Sequence, residues 1–507
     1  MRTSVFAGQL IVLLLLFPLA GKGQSLEDKW IDAQFKQSLM RHKELVSLPN
    51  LPQNRALMEK NLQWLTKEFN QLNFKTSLLP SSTLPLLLAE KIVDPSLKTV
   101  LFYFHIDGQP VDPAAWDQED PFVPVLKERD EQGQWTPLNW EKLEGEIDDE
   151  WRIFARAAAD DKAPIIMLLE ALRILEDKKK QAPTFNLKII FDPEEEYASK
   201  ALLSTLERYK KRYAADYFIV MDGPMHNSNQ PTLTFGCRGI ATCSITTYGA
   251  TLPQHSGHYG NYSPNPAFEL SRILASMKDT QGRVLVKDFY KGIQIDGASQ
   301  KLLRTVPYDS LALNKALGIY SPEKVGKNYQ ESLQYPSLNV RQMGTSWKGE
   351  GLKTVIPAYA VAHIDVRLVP ETEGTAQLQK IKRHLEQEGY HVLERAPTDK
   401  ERQEFPRIVK FNASSRVVNS FRTNPNDAFG RKIRAQLEQR FGTSPINIRL
   451  MGGTVPIVPL INELDLPTLI VPMVNMDNNQ HSPNENIRIG NIRQGIKICL
   501  AILTTEL

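Results

Sequence analysis

Three apolar runs in this chain end on acidic or imidazole side chains, which narrows its possible folds more than any other feature of the sequence. His105 and Asp107 follow Leu101-Phe-Tyr-Phe104. Glu194, Glu195 and Glu196 follow Ile189-Ile-Phe191. Asp222 ends Phe218-Ile-Val-Met221. Thr99 to His105, Asn186 to Asp192 and Tyr217 to Asp222 read as short buried strands, and an Ile- and Leu-rich helix is expected from about Pro164 to Glu176 between the first two. Strands alternating with helices argue for an α/β layer with a largely parallel sheet. In such sheets ligands bind beyond the carboxyl ends of the strands, so the three sets of groups are expected along one edge.

After about Gly236 the pattern changes. Ile240 to Tyr248 is rich in Thr and Ile, and Pro266 opens a helix with Phe268, Ile273, Leu274 and Met277 on one side. Ala358 to Pro370 alternates, with Ala360, Ala362, Ile364 and Val366 on one face and Val361, His363, Asp365 and Arg367 on the other. Period-two alternation suits a half-covered antiparallel sheet. The α/β character returns with helices over Asn426 to Phe441 and Asn491 to Leu503, and a buried strand over Thr468 to Val471. The expected architecture is an α/β catalytic domain interrupted by a smaller α+β domain. Residues 24–235 and 419–507 would form the catalytic domain, and 236–418 the insertion. A chain of 507 residues is long enough for two cores. Lys127 to Trp151, polar and acidic, reads as a surface insertion able to narrow a cleft.

The 61 basic and 58 acidic residues are spread along the chain, with no basic tract for nucleic acid. Arg2, the apolar run Leu10 to Leu19, and then Ala20, Gly21 and Gly23 follow the order of a secretory signal peptide over residues 1–23. That run is far short of the roughly 20 residues that span a bilayer, so export to the periplasm or exterior without a membrane anchor is expected. Cys237 and Cys243 sit about 20 Å apart along an extended strand, beyond the about 7 Å that a disulfide tolerates. Both, with Cys499, are expected to be free thiols.

Carboxylates crowded at one sheet edge repel one another and favour protonation. A divalent cation reverses that penalty, and imidazole together with carboxylate oxygen suits zinc, whereas oxygen alone would suit magnesium or calcium. Taken singly, a histidine after a strand or a triple glutamate reads as a surface feature. Their coincidence carries the argument.

Several motifs occur in a fixed order: His105-Ile-Asp107-Gly, Ala158-Ala-Asp160-Asp-Lys, Asp192-Pro-Glu-Glu195-Glu196, Asp222, His255-Ser-Gly, Lys353-Thr354, Val366-Arg367, Gly452-Gly-Thr454 and Gln480-His481-Ser-Pro-Asn-Glu485. From about Met40 to the C-terminus, the series resembles the carnosinase-like di- and tripeptidases. The resemblance implies a dinuclear zinc centre, with cobalt or manganese as substitutes. One ion would be held by His105 and Asp222, the other by Glu196 and His481, with Asp160 bridging. It further implies that Asp107 orients His105 and that Glu195 is the general base for water held between the two ions. His255 would stabilise the oxyanion from the lid of a partner subunit in a homodimer. Arg367 would clamp the free carboxyl end of a short peptide, with Thr354 and Thr454 assisting by hydrogen bonds. Phe104, Ala157, Ala159, Ala163, Pro193 and Ala198 stand where the family has glycine, so these loops are expected to differ in geometry. The resemblance gives no role to His258. His226, His363, His384 and His391 read as ordinary surface residues.

Three functions compete. The first is a dipeptidase or tripeptidase. The second is another amidohydrolase on this scaffold, an N-acyl-amino-acid deacylase or a carboxypeptidase. The third is a non-catalytic peptide-binding relic. An Asp rather than a Glu at position 222 favours the first, and the intact ligand set with Glu195 disfavours the third.

Overall fold

Residues 25–346 and 354–507 are described in a computed structural model of the chain; the expected signal segment and Lys353 lie outside them. The largest sheet has eight strands, in the order Lys75–Leu79, Leu86–Lys91, Asn186–Asp192, Thr99–His105, Tyr217–Val220, Thr468–Ile470, Thr232–Thr234 and Ile446–Ile448. The four central strands, from Asn186–Asp192 to Thr468–Ile470, run parallel. Their residues are almost wholly buried, as parallel strands covered on both faces must be.

Helices Leu26–Val46, Lys162–Asp177 and Ile489–Leu503 bury one face of this sheet, and Leu206–Tyr213 with Val458–Leu464 cover the other. Local sequence starts the helices. Ser25 accepts the Asp28 N–H at 3.1 Å, and Asn54 caps Arg55–Gln71 through the Leu57 N–H at 3.3 Å. Phe104, fully buried, stacks on Phe191 at 5.8 Å, so the ring that replaces a family glycine is part of the core under the sheet.

The second domain is a five-stranded sheet in the order Ser337–Thr345, Tyr359–Leu368, Gly239–Tyr248, Ile408–Ala413 and His391–Leu393. The expected alternation is present: Ala360, Ala362, Ile364, Val366 and Leu368 are buried beneath helices Pro266–Met277 and Gly374–Gln387. In Pro266–Met277 the buried face is Leu270, Ile273 and Met277, while Phe268 is 67% exposed, contrary to its expected place on the apolar side. The chain crosses between the two sheets beside the short ribbon of Gly236–Cys237 with Phe421–Arg422. A Cβ on Gly236 would lie 2.3 Å from Phe421 O, and one on Gly239 would lie 2.3 Å from Val418 O. Only glycine permits backbones this close.

The stretch Lys127 to Trp151 is mostly exposed, as expected of a surface insertion, but part of it is paired sheet. Val125–Arg129, Trp135–Pro137 and Arg152–Phe154 join Asn486–Arg488 in a four-stranded antiparallel sheet. Its buried residues, Leu126 and Ile153, belong to the main core, and Lys127 lies 4.5 Å over the Phe154 ring. The charged composition hid the pairing because half of each strand faces water. All three cysteines are buried and free. Among the described residues no helix is long and apolar enough to cross a membrane.

Candidate metal centre and active site

Parallel strand ends place the acidic groups together. His105 is the last residue of Thr99–His105 and pairs in register with Asp192, which ends the neighbouring strand. Asp222 lies two residues beyond Tyr217–Val220. Asp160 comes from the loop before helix Lys162–Asp177, and His481 from the loop before strand Asn486–Arg488. His105 Nε2 is 2.8 Å from Asp160 Oδ1; His481 Nε2 is 3.1 Å from Asp160 Oδ2 and 3.2 Å from Glu196 Oε2. Two groups of possible ligand atoms result, His105–Asp160–Asp222 and Asp160–Glu196–His481, each gathered within 4.8 Å. Asp160 is common to both.

The turn that carries Glu195 and Glu196 is held from below. One carboxylate oxygen of buried Asp107 accepts the Glu195 N–H at 3.0 Å and the other accepts the Glu196 N–H at 3.1 Å. Asp107 Oδ1 also lies 3.4 Å from His105 Nδ1. Gln109 Nε2 donates to Glu196 Oε2 at 2.7 Å.

Burial dominates the electrostatics. It raises Asp222 to about 6, with the Asp160 charge adding to the effect, and lifts Glu195 well above the usual carboxylate range. For Asp160 burial acts upward too, but hydrogen bonds from His105 and His481 outweigh it and hold the carboxyl low. Those bonds to Asp160 and Glu196 raise His481 to about 10. The residues fit a divalent pair on geometry and donor chemistry. Nitrogen and oxygen donors converge in two sets around one shared carboxylate, the arrangement that a two-metal site requires.

Two family departures have visible consequences. Ala157 and Ala198 take φ of 60° and 72°, left-handed values that glycine adopts freely and alanine does not. His481 itself has φ 61°. Such backbone persists only where surrounding contacts enforce it. Around Ala157 the enforcing group is Glu485, for which the sequence suggested no role. Its fully buried carboxylate accepts Arg156 Nη1 at 2.7 Å and the N–H groups of Ala157, Ala159 and Asp160 at 2.9, 3.0 and 3.0 Å. Its only sequence signal was its place four residues after His481.

Arg367 stands apart from the ligands, its Nη1 donating to Thr454 Oγ1 at 3.0 Å. Thr454 lines the same cavity as Asp160, Glu195, Asp222 and His481. His255 and Thr354 do not. They sit exposed on the ribbon Gln254–His255 with Val355–Ile356, where Ser256 N–H donates to Thr354 O. The His258 ring is 4.8 Å from that of His255. Three histidines read as ordinary surface residues have definite settings. His226 lines the cavity and its Nδ1 lies 2.9 Å from Ser228 Oγ, His384 is buried against Ser276, and His391 stacks on Phe405 at 3.7 Å.

The model of peptidase family M20/M25/M40 matches residues 101–505. The chain belongs to this family. As an M20 peptidase it hydrolyses peptide bonds, and the catalytic domain with inserted lid is the fold its relatives share. It is 26% identical to the human Beta-Ala-His dipeptidase over 432 residues, 82% of this chain and 76% of that one. It is 25% identical to a Cys-Gly metallodipeptidase of Schizosaccharomyces pombe, over 92% and 95% of the two chains. Among solved structures, an M20 family metallo-carboxypeptidase from Sulfolobus solfataricus matches with TM-score 0.71 and 25% identity, over 92% of this chain and 98% of that one. Human carnosine dipeptidase 1 matches with TM-score 0.67 and 23% identity, over 94% and 97%.

Proposed function

We propose that this M20 peptidase is a dipeptidase or tripeptidase, and that His105, Asp160, Glu196, Asp222 and His481 hold two zinc ions. The observation that carries this reading is the pair of three-residue ligand groups sharing Asp160. Bound there, the ions would supply Lewis acidity to the scissile carbonyl and lower the pKa of the attacking water. Glu195 takes that water's proton and returns it to the leaving amine. Asp107 keeps Glu195 in place through the backbone and fixes the tautomer of His105. Arg367, steadied by Thr454, takes the free carboxyl end of the peptide, for which a planar guanidinium is well suited.

His255, exposed and away from the cavity in its own chain, acts on the oxyanion of a second copy, which makes the enzyme a homodimer through the lid. Thr354, beside it on the ribbon, assists in the same copy. The lid is read as residues 236–418, with Gly236 and Gly239 at its root, and the N-terminal residues as an export signal.

A zinc-loaded preparation assayed on dipeptides, tripeptides and N-acyl amino acids tests the substrate assignment. Dipeptides or tripeptides are expected to be cleaved, with loss on chelation and recovery with zinc. Faster turnover of N-acyl amino acids would make the protein a deacylase instead. Glu195→Ala is expected to lower kcat by about a hundredfold or more while zinc content stays at the wild-type level; unchanged turnover removes Glu195 from its role.

A further inference from the structure

We infer that the preferred substrate carries a bulky apolar side chain on a residue flanking the bond that is cut; this rests on the peptidase reading above. A cavity of about 480 Å³ includes Asp160, Glu195, Asp222 and His481 in its lining. Its remaining wall is dominated by Met225, Tyr329, Leu333, Ile448, Met451 and Met476. Among the described residues that line it there is no Lys or Arg, and no carboxylate other than the three at the candidate metal centre.

These apolar groups come from separate parts of the chain. Met225 follows strand Tyr217–Val220, Ile448 ends strand Ile446–Ile448, Met451 lies just beyond it, and Met476 precedes the loop of His481. Tyr329 opens the short helix Tyr329–Ser332 and Leu333 follows it, just before lid strand Ser337–Thr345. The wall also contains Thr454, which holds Arg367 at 3.0 Å, so apolar surface extends from the reacting groups to the carboxylate clamp. A peptide held at both ends has a side chain along this wall. A charged side chain there would exchange water for a few neutral polar groups, those of Thr234, Gln330 and Gln480, which solvate it less well. A hydrogen, as in glycine, would leave the wall hydrated. Three methionines, unbranched and polarisable, favour several shapes of apolar group over one. The inference therefore concerns a class, Leu, Met or Phe, rather than a single residue.

The test uses the full chain reconstituted with zinc. Initial rates are measured on Leu-Gly, Gly-Leu, Met-Gly and Gly-Met against Gly-Gly, Asp-Gly, Gly-Asp, Lys-Gly and Gly-Lys. One order of the Leu and Met peptides is expected to exceed Gly-Gly in kcat/KM by about ten- to a hundredfold, as burial of one such side chain implies. The acidic and basic peptides are expected to fall below Gly-Gly. Equal rates across the set would overturn the side-chain inference and leave the peptidase reading standing; no hydrolysis of any of these peptides or of their glycine-extended tripeptides would overturn both. A reduced-amide analogue of the favoured peptide, titrated by calorimetry, should bind at least tenfold tighter than the reduced-amide analogue of Gly-Gly, and equal binding would count against the inference whatever the rates. Met476 is 53% exposed, so Met476→Glu should fold normally. It is expected to cut kcat/KM for the Leu peptide about tenfold and raise it for the matching Lys peptide. Leu333→Ala provides a second reading, with a smaller loss for Leu than for Gly-Gly contradicting the inference.

Discussion

Glu485 closes the motif that begins at Gln480, where it had no assigned role, and its structural consequence is large. Four donors converge on its carboxylate, three of them the backbone of the loop that presents Asp160. Glu485→Gln replaces one acceptor oxygen by a donor and leaves Arg156 without its charge partner. Zinc affinity is expected to fall about ten- to a hundredfold, as for other groups that orient metal ligands. Competition against a chelator measures this, and an affinity equal to wild type would show that the loop holds its shape without the charge. His42, packed beneath the Asp160 loop, offers a pH signature. Its Nε2 lies 2.8 Å from Ala158 O, and burial, with Lys162 adding repulsion, pushes its pKa down to about 4. The unfolded chain, with an ordinary pKa of 6.5, takes up the proton first. The contribution is therefore complete above pH 6.5 and is lost as pH falls toward 4, amounting to about 3 kcal/mol. Urea unfolding of His42→Gln should lose that part of the acid dependence; identical slopes for both proteins would rule out His42 as the source.

At the scale of elements, the readable parts were those with a strong period or a continuous apolar run. Thr99–His105, Asn186–Asp192 and Lys162–Asp177 lie where the pattern placed them, because burial on both faces leaves an unbroken apolar signature. The antiparallel sheet of Val125–Arg129, Trp135–Pro137 and Arg152–Phe154 was invisible for the opposite reason: one face is polar, the strands are short, and Lys127 is covered by an aromatic ring rather than by water. The motifs identified the residue types of the candidate site, but spacing alone could not show that Asp107 grips the Glu195 turn by two backbone N–H groups. The strand crossing at the lid root makes a direct prediction. Gly236→Ala forces a methyl group into Phe421 O and is expected to cost about 1–3 kcal/mol, read as a lowered Tm. A Tm unchanged within error would mean that the two backbones separate without cost.

The whole molecule divides the work between two bodies and, on the proposed reading, between two copies. His255 lies exposed on the lid while the candidate metal ligands lie at the main sheet edge. Mixing His255→Ala subunits with Glu195→Ala subunits tests this arrangement, since each inactive chain supplies what the other lacks. Activity is expected to rise to about a quarter of wild type, the share of correctly completed sites in random pairing of equal amounts of the two chains. No recovery after demonstrated subunit exchange would place His255 in its own chain's site or outside catalysis. The sequence conveyed the two-domain plan through its change of period near Gly236, but it could not tell which face of the lid meets solvent, and the exposed Phe268 shows the limit.

The strand Thr468–Ile470 lies between Tyr217–Val220 and Thr232–Thr234, in the interior of the main sheet, although it is translated long after both neighbours. Without that strand, Tyr217–Val220 would lack its partner on that side, and its backbone amides and carbonyls there would be left unpaired. The candidate site also depends on late-made chain, since His481 and Glu485 follow Ile470 by eleven and fifteen residues. On the proposed reading, the candidate ligand set lacks His481 until nearly the whole chain has been made.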